Sequence, residues 1–157
     1  MTSMKRRIFL KGSLATGAIG MAVSTGLLTP RISLAAWSKD AFEATDVNAA
    51  LSGLFGSSDL TGSDSIKIKA PDIAENGAVV PITVSTDISG ASSISILAEK
   101  NAQPLAASFD LGPGAEGYVS TRIKMGKTAS VIAVVKADGK LYSTGKEVKV
   151  TIGGCGG

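Results

Sequence analysis

Histidine is absent from the 157 residues. Its absence removes the commonest general base near neutral pH and a leading ligand for transition metals. A single cysteine, Cys155, leaves no internal disulfide and no thiolate cluster. One sulfur with no histidine, and only Met125 as a second sulfur after the leader, cannot complete a metal shell, so no metal is expected. Aromatics are few: Trp37, two Tyr and four Phe. That disfavours a base-stacking surface. An enzyme working alone is disfavoured before any motif is read.

The formal charge of +3 is unevenly spread. Lys5, Arg6, Arg7, Lys11 and Arg31 precede residue 36, and no acid does. Without residues 1–35 the chain has 122 residues, 11 basic and 13 acidic side chains, and a net charge of −2. The basic character belongs to the leader, so no nucleic-acid partner is expected. A chain of that size makes one domain and buries about two-thirds of its unfolded surface.

Residues 1–35 have the three parts of a secretory signal peptide: basic residues, an apolar stretch, and small residues before a cleavage site between Ala35 and Ala36. Arg6-Arg7 followed by Phe9-Leu10-Lys11 resembles a twin-arginine export signal. The apolar stretch, Gly12–Leu28, has 17 residues and four glycines, short and mild for a bilayer span. The expectation is export to the periplasm, with no stable membrane anchor.

Residues 36–62 read as an N-terminal helix and linker. Ser38 is expected to cap a helix over Lys39–Leu54, with Asp40 and Glu43 in its first turn. Its stripe of Val47, Leu51 and Leu54 suits packing on its own domain. From residue 63 to 152 the period becomes two. Ile66–Lys69, Val80–Val84, Ser93–Ala98, Ala107–Leu111, Val119–Met125 and Val148–Ile152 read as strands, and Val131–Val135 reads as a strand buried on both faces. Pro81 lacks an N–H, so its strand belongs at an edge or has that side unpaired. Asp138-Gly139 is the strongest hairpin signal. Gly112-Pro113-Gly114 lacks the spacing and the lysine of a phosphate loop and reads as a turn. About seven short strands predict a mainly β fold, an antiparallel immunoglobulin-like β-sandwich preceded by the helix. The sets Lys67/Lys69, Arg122/Lys124/Lys127 and Lys136/Lys140/Lys146/Lys149 read as solvated faces, one of which would suit an acidic partner.

The last five residues, 153–157, are Gly153, Gly154, Cys155, Gly156 and Gly157. Four glycines give a slim backbone with nothing to pack, so a flexible arm is expected. Extended, five residues span about 17 Å, enough to place the thiol some 10 Å down a narrow channel. No cation, helix N-terminus or metal adjoins the thiol in sequence, so activation must come from whatever active site receives it. The rival reading is a structural or adhesive sandwich that dimerises through an intermolecular disulfide at Cys155.

An exported chain of this size, with Val148-Lys149-Val150-Thr151-Ile152 running into Gly-Gly-Cys-Gly-Gly, resembles the SoxY family, the sulfur-carrier subunits of the SoxYZ complex in thiosulfate oxidation. The resemblance implies a heterodimer with a SoxZ-like subunit and sulfur intermediates bound covalently to Cys155. It implies a haem-containing enzyme that joins thiosulfate to the thiol, a hydrolase that releases sulfate, and a dehydrogenase acting on the remaining sulfane sulfur. The carrier itself then has no cofactor and no turnover.

Overall fold

The structure, a computed structural model, describes residues 38–151. The signal-peptide assignment, with Arg6, Arg7, Ala35 and Ala36, lies outside them.

Two helices open the described chain: α1 (Lys39–Glu43) and α2 (Val47–Phe55). The single helix expected over Lys39–Leu54 is therefore broken at residues 44–46. The cause is local. Asp46 is extended, and its carboxylate accepts the Ala49 N–H at 2.8 Å, which starts a new helix. Ser38 forms no side-chain cap. Its hydroxyl instead donates to the Gly53 carbonyl at 2.9 Å and joins α1 to α2. A Cβ at position 53 would lie 3.0 Å from the Ala41 nitrogen, so glycine permits this close crossing.

Nine strands follow: β1 (Thr61–Gly62), β2 (Ile66–Lys69), β3 (Ile73–Ala74), β4 (Val80–Thr86), β5 (Ala91–Ala98), β6 (Leu105–Asp110), β7 (Tyr118–Ile123), β8 (Ala129–Ala137) and β9 (Lys140–Val150). They form a six-stranded sheet, β1-β9-β8-β5-β6 with β3 also on β9, and a three-stranded sheet, β2-β4-β7. Seven strands have four or more residues, matching the expected number. The two-residue strands β1 and β3 add parallel pairings along the outer edge of β9, a departure from a purely antiparallel sandwich.

Between the sheets, Val80, Ile82, Val84 and Val119 meet Ile94, Ile96, Val131, Val135 and Val148. Each fully buried aliphatic side chain is worth about 1.5–3 kcal/mol. Leu97, Leu105, Val134 and Leu141 emerge on the other face of the large sheet, where Ala41, Ala50 and Leu51 of the helices cover them. The helices therefore pack on their own domain. They also explain why the middle of β8 is apolar at successive positions: it has packing partners on both sides. Asp138 and Gly139 have φ of 49° and 75°, and the hairpin between Ala137 and Lys140 closes as expected.

Pro81 is not on an edge strand, because β4 is central in its sheet. The β2 ladder ends at the Lys69–Thr83 pair, however, and Pro81 is paired only across β7, with Arg122. The missing N–H is accommodated where one side of the strand is open.

Candidate functional site

Cys155 and its neighbours Gly153, Gly154, Gly156 and Gly157 lie outside the described residues. The structure does place the segment from which they depart, the end of β9 through Thr151. Three successive backbone N–H groups there are all satisfied by protein. Lys149 N–H donates to the Asp72 carbonyl at 3.0 Å and Thr151 N–H to the Ala74 carbonyl at 3.1 Å, both on the β3 side. Val150 N–H points the other way and donates to the Thr128 hydroxyl at 2.9 Å. Strand β8 begins only at Ala129, so the Thr128 side chain replaces the backbone acceptor that the ladder lacks at this point.

Side chains fix the same segment. Val148 is fully buried, and Val150 packs against the core. A Cβ at Gly77 would lie 2.8 Å from Val150 Cγ1 and would overlap the Met125 carbonyl, so the backbone at Gly77 sits directly on the end of β9. The Met125 N–H donates to the Gly77 carbonyl at 2.7 Å. A peptide anchored on both sides up to Thr151 gives the terminal residues a fixed point of departure. From Thr151 to Cys155 is four residues, about 14 Å when extended.

The basic residues separate into distinct surroundings. Lys146 pairs with Asp72 at 3.0 Å and donates to the Ala70 carbonyl at 2.7 Å, so it supports the β3 edge. Lys136 lies 5.7 Å from the Phe55 ring centroid, a cation–π contact between sheet and helix. Lys67 and Lys69 border a cleft on the three-stranded sheet with Pro71, Pro81 and Tyr118. Arg122, Lys124 and Lys127 converge with Lys100 on another groove, whose apolar lining includes Ala106 and Ile123. Sequence reasoning missed Lys100, because it lies on a different hairpin connection. The link is Asn101: its amide donates to the Lys124 carbonyl at 2.7 Å and accepts the Gly126 N–H at 3.0 Å.

Gly112-Pro113-Gly114 is a turn, with Ala115 N–H donating to the Gly112 carbonyl at 3.0 Å. Among the described residues no three His, Cys, Asp or Glu side chains gather as metal ligands would. No described helix is long and apolar enough to cross a membrane.

Comparison with known proteins places this arrangement. Residues 51–155 match the family model described as sulfur oxidation protein SoxY. The chain is 51% identical to the sulfur carrier protein SoxY from Chlorobium limicola f thiosulfatophilum, whose structure it matches with a TM-score of 0.60 over 66% of this chain and 94% of that one. No curated protein matches.

Proposed function

The chain belongs to the SoxY family of sulfur-oxidation carriers, and from that premise we propose that it carries thiosulfate-derived sulfur covalently on Cys155 in the periplasm. The observation that carries this reading is the extent of the family match, which runs on past the end of β9 to the cysteine itself. The anchored end of β9 supports it, since a carrier arm needs a fixed base.

The chemistry balances as follows. The thiol and thiosulfate join through a new S–S bond, giving Cys–S–S–SO3⁻ and releasing one proton and two electrons. A haem-containing partner enzyme accepts those electrons. Water then cleaves the bond between sulfane sulfur and sulfonate in a hydrolase, leaving a cysteine persulfide (Cys–S–SH), sulfate and one proton. A dehydrogenase partner oxidises the remaining sulfane sulfur. This chain contributes the sulfur atom, its tether and a folded body, assembled as a heterodimer with a SoxZ-like subunit. The partners contribute the activating groups, and the carrier turns nothing over itself.

The test is the mass of the C-terminal peptide from protein isolated from cells grown on thiosulfate. Thiosulfonate or persulfide adducts confined to Cys155 are expected. A thiol that is never modified, or one held throughout in a disulfide-linked homodimer, overturns the proposal.

A further inference from the structure

We propose that the outward face of the three-stranded sheet, edged by Lys67, Lys69 and Arg122, is a docking surface for an acidic patch on the enzyme that loads the arm. The inference rests on the carrier reading of Cys155 and adds to it the surface by which the carrier body is recognised.

Three observations carry it. First, the face is bare among the described residues. The back of the large sheet is covered by α1 and α2, whereas Lys67, Lys69, Pro81, Tyr118, Ser120 and Arg122 on the small sheet are exposed. Tyr118 keeps 56% of its surface in solvent, and tyrosine is a residue type that protein interfaces favour. Second, the charge has one sign. The chain after the leader has a net charge of −2, from 11 basic and 13 acidic side chains, yet β2, β4 and β7 contain no Asp or Glu. Strand register sets Lys67, Ser85 and Tyr118 in one row across the sheet and Lys69, Thr83 and Ser120 in the next, with Pro81 and Arg122 in the third. No carboxylate lines the cleft on this face. None of its three cations forms an ion pair among the described residues, where the pairs are Lys39–Glu43 and Lys146–Asp72.

This arrangement selects the class of partner. Lys67 and Lys69 stand about 7 Å apart along their strand, and Arg122 lies two strands away, so the cations do not converge on one small anion. They match charges spread over a protein surface. Thr83 and Ser120 share a 3.1 Å hydrogen bond in the middle of the face, a polar centre unlike the apolar centre of a permanent subunit interface. A net negative domain is unsuited to nucleic acid. The face suits an acidic protein that arrives, acts and leaves, steered by charge. Third, the face is tied to the arm. The chain leaving β2 is bonded to β9, with the Lys146 ammonium donating to the Ala70 carbonyl at 2.7 Å and the Lys149 N–H to the Asp72 carbonyl at 3.0 Å. An enzyme seated on this face therefore holds the departure point of the terminal residues at a set position, which raises the effective concentration of Cys155 at its active site.

The experiment uses the processed chain labelled with ¹⁵N and assembled with its unlabelled partner subunit. Poly-L-glutamate is the acidic probe. The amide resonances of Lys67, Lys69, Ser85 and Tyr118 should shift on its addition, and high salt should abolish the shift. No shift, or shifts confined to other parts of the chain, overturn the inference. So does slowed amide exchange of these four residues on assembly, since the occupant would then be the permanent subunit. The second arm is loading of Cys155 by the purified haem-containing enzyme. The double variant Lys67→Glu/Lys69→Glu, altered only at exposed side chains, should lower kcat/KM for the carrier about 10-fold at low salt and leave kcat at saturating carrier unchanged. Equal kcat/KM for variant and wild type at low salt overturns the inference. Chemical modification of Cys155 by tetrathionate should run at one rate in both proteins; a slower rate in the variant would place the effect at the thiol and overturn it too. The polyglutamate shifts do not involve Cys155, so their outcome is separate from that of the carrier reading, which fails if the enzyme does not load the wild type.

Discussion

The hydroxyl of Ser93 is buried on β5 without a hydrogen-bond partner among the described residues, while Ser95, two residues on, shares a 2.8 Å bond with Ser108. An unpartnered buried hydroxyl retains its desolvation cost, so Ser93→Ala should raise stability by about 1 kcal/mol. Urea denaturation at constant m-value measures this, and a loss of stability would contradict it. Asn101 is the opposite case, with both ends of its amide engaged. Asn101→Ala should cost about 1–2 kcal/mol in the same assay. Gly77→Ala forces a Cβ into the Met125 carbonyl and Val150. It should cost about 1–3 kcal/mol and speed amide hydrogen exchange at Lys149, Val150 and Thr151, the anchored base of the arm. Unchanged exchange there would remove Gly77 from that role.

At the scale of elements, the helix pair depends on Leu51, which is fully buried against the back of the large sheet. Leu51→Ala should destabilise the domain by about 2–5 kcal/mol, read from the shift in urea midpoint. Alternation made β2, β4 and β7 legible because one face of each is buried, and Asp138-Gly139 fixed its hairpin because both residues tolerate positive φ. The helix break was not legible by periodicity, since Val47, Leu51 and Leu54 keep one spacing on either reading. Asp46 was the available signal: a capping residue inside the expected helix. Strands β1 and β3 carry no pattern at all, because two residues cannot display a period and parallel edge pairing depends on where β9 lies.

For the whole molecule, the terminal Gly-Gly-Cys-Gly-Gly lies outside the described residues, and its reading as an arm rests on the sequence: glycines around a lone thiol have little use in a packed interior. The cationic groove was not legible in the sequence, because Lys100 and Arg122 are far apart in sequence and meet only once the two sheets have packed, with Asn101 tying the turn after β5 to the loop after β7. The slimness of the arm has its own consequence. Replacing Gly154 or Gly156 with Phe should slow loading of Cys155 by about 10-fold or more, through misplacement in the partner's channel, with no change in the urea midpoint. Equal loading rates would count against insertion into a narrow site.

The most direct measurement is thiosulfate-dependent oxygen uptake by cells whose only copy of the carrier bears Cys155→Ser. Uptake should be lost while the variant protein accumulates to normal levels, folded and assembled with its partner subunit. Undiminished uptake by the serine variant would contradict the assignment of Cys155 as the atom that carries the sulfur.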